Sequence, residues 1–306
     1  MSTAAGGPAP SYLDWLIADT RQSAADPAAT EVTDTPASTV PRVSAASTQH
    51  GDRAGSSVTV VAGAHGGSGA TITTLLLAMV AAADFPAMKT DAVGSAGPVI
   101  ALDGTAVGGD LVVRAPAQHC HPSWWQHWLA GGDDPAADTT ALPTSGWTVL
   151  GRDRTLGETT SPLSGAITAL SSRSRSVIVD AGASVGSPWF DAAADLADHI
   201  VVTIDDRPGA ANASRPVLSM LRRRLGSEEM GRTVHLVVTS QRPGVDHVTG
   251  PLADALSGRV AGVHHLSYDS EIAAGVGIDP SLLSPRSFTV AHHIHTSTTS
   301  REATTR

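Results

Sequence analysis

Lysine is almost missing from this chain. Lys89 is the only one in 306 residues, and arginine carries the rest of the positive charge. A site that needs an ammonium group must therefore lack it or use a guanidinium, which differs in shape and hydration. Cys120 is the only cysteine, which excludes an intramolecular disulfide and a cysteine-based metal cluster within one chain. Charged residues make up only 16% and the formal net charge is -9, so no global basic field is available to hold nucleic acid or anionic lipid. The longest apolar runs, such as Thr74 to Ala83, are too short to span a bilayer. The start, MSTAAGGPAP, has neither the basic n-region nor the apolar h-region of a secretory signal. A cytoplasmic location is expected.

What is present divides unevenly. Apolar residues reach 41%, enough for one substantial core or two small ones. From about Ser23 to Ser57 the chain is dominated by Ala, Pro, Ser, Thr and Asp, a composition that buries too little surface to fold alone. Residues 1–56 are therefore read as a disordered N-terminal region with one short helix near 11–20. Ser11 caps it and Asp14 stands three residues on. Tyr12, Trp15 and Leu16 share a face, with Leu13 and Ile17 beside it. An amphipathic helix on a long leash has the form of a docking peptide for a protein partner, the alternative being that it packs back onto its own domain.

From Ser57 onward, short β-branched strands alternate with helical stretches. Strands are predicted at Val58–Ala62, Val99–Leu102, Trp147–Leu150, Ser176–Val179, His199–Thr203, Val234–Thr239 and Gly262–Leu266. Helices are predicted at Thr71–Ala83, Trp189–Ala197, Ala210–Arg224 and Val248–Leu256. This alternation implies crossover connections and an α/β fold: a doubly wound, mostly parallel sheet with helices on both faces. The folded domain is placed at 57–292. His293 to Arg306, Ser/Thr-rich and without periodicity, reads as a flexible tail.

Directly after the first strand comes Gly63-Ala-His-Gly-Gly-Ser-Gly-Ala-Thr-Ile-Thr-Thr, running into a helix. Glycines let backbone N–H groups crowd around an anion, and a helix N-terminus favours negative charge, so this arrangement cradles phosphates. Taken alone, it equally describes a tight strand-to-helix turn that needs glycine only for geometry.

The motifs that follow in order give the loop a context. Gly66, Gly67, Gly69 and Thr71 match the deviant Walker loop of the MinD/ParA-type P-loop ATPases, which it resembles. The strand Val99-Ile-Ala-Leu-Asp103, with its Gly109-Asp110-Leu111 continuation, is similar to the next motif of that family. Val177-Ile-Val-Asp180 resembles its Walker B strand, and Val237 to Pro243 its base-binding strand end, with Thr239 where asparagine is usual. The resemblance runs from about Val58 to Thr289. It implies a P-loop NTPase-like fold and a homodimer. It places nucleotide on Gly66, Gly67, Ser68, Gly69, Ala70, Thr71, Ile72, Thr239 and Gln241, and magnesium on Thr71, Asp103 and Asp180.

The departures bear on activity. His65 stands at the family's signature lysine, Ala70 at the lysine that reaches the phosphates, and Thr105 at the second acidic position. A charge-assisted phosphate contact is worth roughly 1.5–3 kcal/mol, and a cation completing the transition state about 10³-fold or more. Of the arginines, Arg114, Arg152 and Arg154 are those placed to reach in, and they are not expected to. The implied family role is then a non-hydrolysing pseudo-ATPase that holds ATP or ADP with magnesium weakly. It resembles the degenerate CpaE/TadZ-like branch, whose members act as localisation or assembly factors. A secretion, pilus or conjugation apparatus is the expected setting, with recruitment to a membrane machine by a partner and no direct membrane insertion. A slow ATPase of the partition or division-site class, or a nucleotide switch without turnover, are the other readings.

His119, His121 and His127 flank a Ser-Trp-Trp-Gln segment, read as a helix start with Trp124, Trp125 and Trp128 packing rather than as a metal site. Arg222, Arg223 and Arg224 end a helix, where cations favour the carbonyl end of its dipole. In an acidic chain they are not expected to hold DNA. His292, His293 and His295 are expected at the surface.

Overall fold

A computed structural model describes residues 56–84, 98–106, 109–130, 146–156, 163–183, 185–207 and 209–299. All of them belong to a compact unit that begins at Gly55. The N-terminal helix with Tyr12, Leu13, Trp15, Leu16 and Ile17 lies outside the described residues, as does Lys89.

Seven strands form one parallel sheet: β1 (Ser57–Gly63), β2 (Val99–Asp103), β3 (Trp147–Leu150), β4 (Ser176–Asp180), β5 (His199–Asp205), β6 (Val234–Thr239) and β7 (Gly262–Leu266), in the order β3-β2-β4-β1-β5-β6-β7. Every residue of β2, β4, β5 and β6 is buried. That requires cover on both faces, and it explains why these strands read as continuous apolar runs rather than alternating ones.

The cover on one face comes from α1 (Ala70–Ala83), buried almost throughout and apolar all round, as a helix sandwiched between layers must be. It packs on Val61, Ala101, Ile178 and Val201 of the sheet and against Ala291 and Ile294. Strand side chains alternate in direction, so Val60 and its neighbours point the other way. There α4 (Leu163–Ser171) and α5 (Pro188–Ala194) pack on β1 and β4. Between these lie α2 (Leu111–Arg114) and α3 (Trp125–Leu129), and later α6 (Ala210–Leu225), α7 (Ser227–Thr233), α8 (Thr249–Leu256), α9 (Ser270–Ala273) and α10 (Pro285–Thr299).

Helix α10 corrects the sequence reading. A loose tail was expected from His293, yet the helix continues to Thr299 with Ile294, His295 and Thr298 buried. Ala291 and Ile294 lie one turn apart and close over α1, so tertiary packing overrides the poor helix propensity of the Ser/Thr run. The hydroxyls turn back onto their own helix: Thr296 Oγ1 donates to the His292 carbonyl at 2.9 Å and Thr299 Oγ1 to that of His295 at 3.0 Å. His295 is buried rather than at the surface, near Asp84 at the end of α1 (3.6 Å), and burial lowers its pKa.

The topology also places the site. From β1 the chain moves outward to β2 and β3, returns to β4 beside β1, and then crosses to β5 on the opposite side. The carboxyl ends of β1, β4 and β5 therefore flank the reversal of strand order, where open α/β sheets leave a crevice for ligands.

Candidate phosphate-binding cleft

The loop between β1 and α1 is pinned from below. Gly63 N–H donates to the Gly182 carbonyl at 2.7 Å, and Ala64 N–H to that of Thr203 at 2.9 Å, which ties the loop to the ends of β4 and β5. Ser68 is buried, its hydroxyl 3.0 Å from Thr203 Oγ1. Gly69 enters α1 at φ +90°, and a Cβ there would lie 2.9 Å from the Thr239 methyl. Glycine is thus required twice over at this position, for the left-handed backbone and for room. A cleft of about 470 Å³ opens above, lined by the whole loop from His65 to Ile72, by Asp110 and Arg114, by Gly182 and Ala183, by Thr239 to Gln241, and by residues of the 266–275 segment.

Thr239 and Gln241, placed at the base end by resemblance, both line this cleft. Thr239 Oγ1 lies 3.0 Å from the Ser68 carbonyl oxygen and 3.1 Å from that of Ile204. Gln241 Nε2 donates to the Gly67 carbonyl at 3.1 Å. Their polar groups brace the underside of the loop.

Three positions differ from the motifs that the chain resembles. Ala70 is buried in the core cluster and presents no polar group to the cleft. His65 turns toward β5: Nδ1 is 3.0 Å from the Gly66 carbonyl oxygen and Nε2 is 3.6 Å from Asp205, a buried carboxylate that Arg207 also holds. Thr105 is buried, and its hydroxyl donates to Asp103 Oδ1 at 2.6 Å.

The acidic pair is intact but unequal. Thr71 Oγ1 donates to Asp180 Oδ2 at 2.6 Å, and Gly182 N–H to Asp180 Oδ1 at 2.9 Å. Complete burial, assisted by the Asp103 charge, pushes the Asp180 carboxyl up to about 6 against these hydrogen bonds. A fully buried carboxylate beside a threonine hydroxyl suits a hard divalent cation. Thr71 and Asp180 are the residues that would hold magnesium, and bound there it would neutralise phosphate charge. Asp103 lies opposite Asp180 on the neighbouring strand. Its Oδ1 accepts from the backbone N–H and hydroxyl of Thr105. Burial raises its pKa, opposed by Thr105, Arg152 and Arg154.

The three arginines divide. Arg152 is buried, hydrogen-bonded to the Thr105 and Ala106 carbonyls, with its guanidinium 4.5 Å from the Trp189 ring centroid. Arg154 holds the Gly109 carbonyl and lies 3.5 Å from Asp110. Arg114 lines the cleft, contrary to expectation. The Trp-rich segment supports the site from behind: Trp125, fully buried on α3, donates Nε1–H to the Asp103 carbonyl at 2.9 Å. Trp128 is buried too, whereas Trp124 is partly exposed. His119 stacks on Trp147 and His127 Nε2 lies 3.1 Å from Asp153, so these histidines point to separate neighbours. Arg224 at the end of α6 pairs with Asp191 and Asp195.

Asp110 was not identified as a cleft residue from the sequence, although the Gly109-Asp110-Leu111 continuation after β2 is a local signal. Arg114 was one of three arginines considered there and not expected to reach in, because its place depends on the distant 272–275 segment.

No family model matches the chain, and no characterised protein matches it by sequence. The fold is that of MinD/ParA P-loop ATPases. A ParA family ATPase from Chlorobium tepidum superposes over 78% of this chain and 98% of its own with a TM-score of 0.57 at 13% identity. The cell division ATPase MinD of Pyrococcus furiosus does so over 79% and 97% with a TM-score of 0.56 at 15% identity. The septum site-determining protein MinD of Pyrococcus horikoshii, complexed with Mg-ADP, covers 82% and 96% with a TM-score of 0.54 at 14% identity. Among the described residues, no helix is long and apolar enough to cross a membrane.

Proposed function

We propose that this protein binds a magnesium nucleotide in the β1–α1 cleft without efficient hydrolysis. In that reading it serves as a localisation or assembly factor that a partner recruits through the N-terminal segment. One observation carries the reading: the Thr71–Asp180 pair stands at hydrogen-bond distance under an intact glycine loop, while Ala70 and Thr105 remove the groups that turnover needs. Backbone donors and a cation site suffice to hold phosphate. Chemistry further requires an oriented water and a cation that follows the charge developing in the transition state. A homodimer remains part of this reading, as does a setting in a secretion, pilus or conjugation apparatus. The structural likeness to MinD bound to Mg-ADP supports the choice of ligand class.

Titration with a fluorescent ATP analogue, with and without magnesium, tests the reading. Binding that strengthens with magnesium is expected, and Ala70→Lys should tighten it about tenfold through one added charge-assisted contact. Equal affinity with and without magnesium, or no gain from the lysine in a folded variant, would contradict it. The slow-ATPase reading keeps one supporting observation, the arginine on the cleft wall.

A further inference from the structure

Arg114 is a half-buried cation without an ion pair: among the described residues no carboxylate lies within ion-pair distance of it. Burial lowers its pKa, opposed by the charges of Asp110 and Glu271 farther off, yet a guanidinium stays protonated at neutral pH. A partly desolvated charge facing a cleft interacts more strongly with an anion there than one in open water.

Its stem is held in place. Leu111 at the start of α2 is fully buried, Arg114 N–H donates to the Asp110 carbonyl at 2.8 Å, and Ile278 N–H donates to the Arg114 carbonyl at 2.9 Å. Nη2 donates to the Ile272 carbonyl at 2.6 Å. The other guanidinium amine lies beside Gly275, 3.7 Å from where a Cβ would stand. A guanidinium has five N–H donors in a planar fork, so the Ile272 contact leaves most of them available to a ligand. Among the described residues, Arg114 is the sole arginine or lysine lining this cleft. Its rivals are engaged elsewhere, Arg152 and Arg154 on backbone carbonyls and His65 beside Asp205.

We propose that Arg114 supplies the cationic contact to the nucleotide's polyphosphate that Ala70 and His65 do not, reaching the cleft from α2 instead of from the loop. This rests on the nucleotide reading above. It explains how a chain nearly free of lysine can keep a phosphate cleft: the charge moves from α1 to a residue whose fork matches phosphate oxygens in bidentate fashion.

The experiment titrates the full chain with two probes, magnesium bound to a fluorescent ATP analogue and inorganic tripolyphosphate. It compares wild type, Arg114→Gln, Arg114→Lys and the double variant Arg114→Gln/Ala70→Lys, each checked by thermal melting. The expected result is a loss of about tenfold or more for both probes in Arg114→Gln. Arg114→Lys, which keeps the charge but loses the fork, should retain only part of the affinity, and most of it should return in the double variant. As a readout needing no variant, tripolyphosphate should protect Arg114 from phenylglyoxal in peptide mapping. Wild type binding tripolyphosphate but not nucleotide, with Arg114→Gln weakened, would sink the nucleotide reading and leave the Arg114 assignment standing. Unchanged affinity in folded Arg114→Gln, or no protection of Arg114, would overturn the assignment while the nucleotide reading stood. Wild type binding neither probe would overturn both.

Discussion

Asp180 is maintained at a cost to the ligand-free protein, and the cost can be measured. Its folded pKa is about 6 against an ordinary 3.8. Between those values the folded state holds more protons than the unfolded one, so this group's contribution to stability falls as pH rises through that window. At roughly 1.4 kcal/mol per pKa unit, ionised Asp180 opposes folding by about 3 kcal/mol above pH 6. Asp180→Asn removes the charge. The amide still accepts from Gly182 N–H and donates to Thr71 Oγ1, because the hydroxyl can rotate. The variant should therefore be more stable than wild type at pH 7.5 by about 2–3 kcal/mol, or about 5–10 °C in Tm for a domain of this size. At pH 5 wild-type Asp180 is itself protonated, and most of that advantage should vanish. The same variant should lose the magnesium-dependent part of nucleotide binding. Thermal melts at the two pH values with magnesium absent provide the test. The difference between proteins reports this group together with its coupling to the neighbouring Asp103 charge, while distant titrating residues cancel. A variant that is less stable at pH 7.5, or whose advantage is the same at pH 5, would refute the argument that burial of the charge dominates here.

Three further outcomes are expected. His264 sits half-buried on β7 with its pKa lowered to about 4 by desolvation, and its Nε2 lies 3.3 Å from His235 Nδ1; its contribution to stability is intact above the unfolded value near 6.5 and is lost as pH falls toward 4. His264→Gln should flatten that part of the pH–Tm curve, and an unchanged curve would contradict the assignment. Ile294→Ala, at a 2% exposed position on the face of α10 that packs on α1, should cost about 2–4 kcal/mol in denaturant unfolding, whereas a flexible tail would give almost none. Trp15→Ala combined with Leu16→Asp should abolish capture of a partner and leave the domain's Tm unchanged; a lowered Tm with capture intact would mean that the segment packs on its own domain.

The strands were legible because a buried parallel strand writes its whole length as β-branched and apolar residues. Trp147–Leu150, Ser176–Val179 and Val234–Thr239 fall where the sequence placed them. The phosphate loop was legible because its backbone conformation demands glycine at Gly69. Helix α10 was not, because a Ser/Thr run becomes helical only where Ile294 finds α1, and that contact spans the length of the domain. One side chain was missed for the same reason. Arg114 reads as one more arginine until the 272–275 segment is brought beside it.

The most direct test of binding without hydrolysis is a single-turnover experiment. γ-Labelled ATP and magnesium are mixed with excess protein, and the bound nucleotide is quenched and analysed over time. Bound ATP recovered intact, with phosphate release at the rate of buffer alone, is the expected result. Phosphate release on the order of 1 s⁻¹, within the ordinary range of enzymes, would contradict the account.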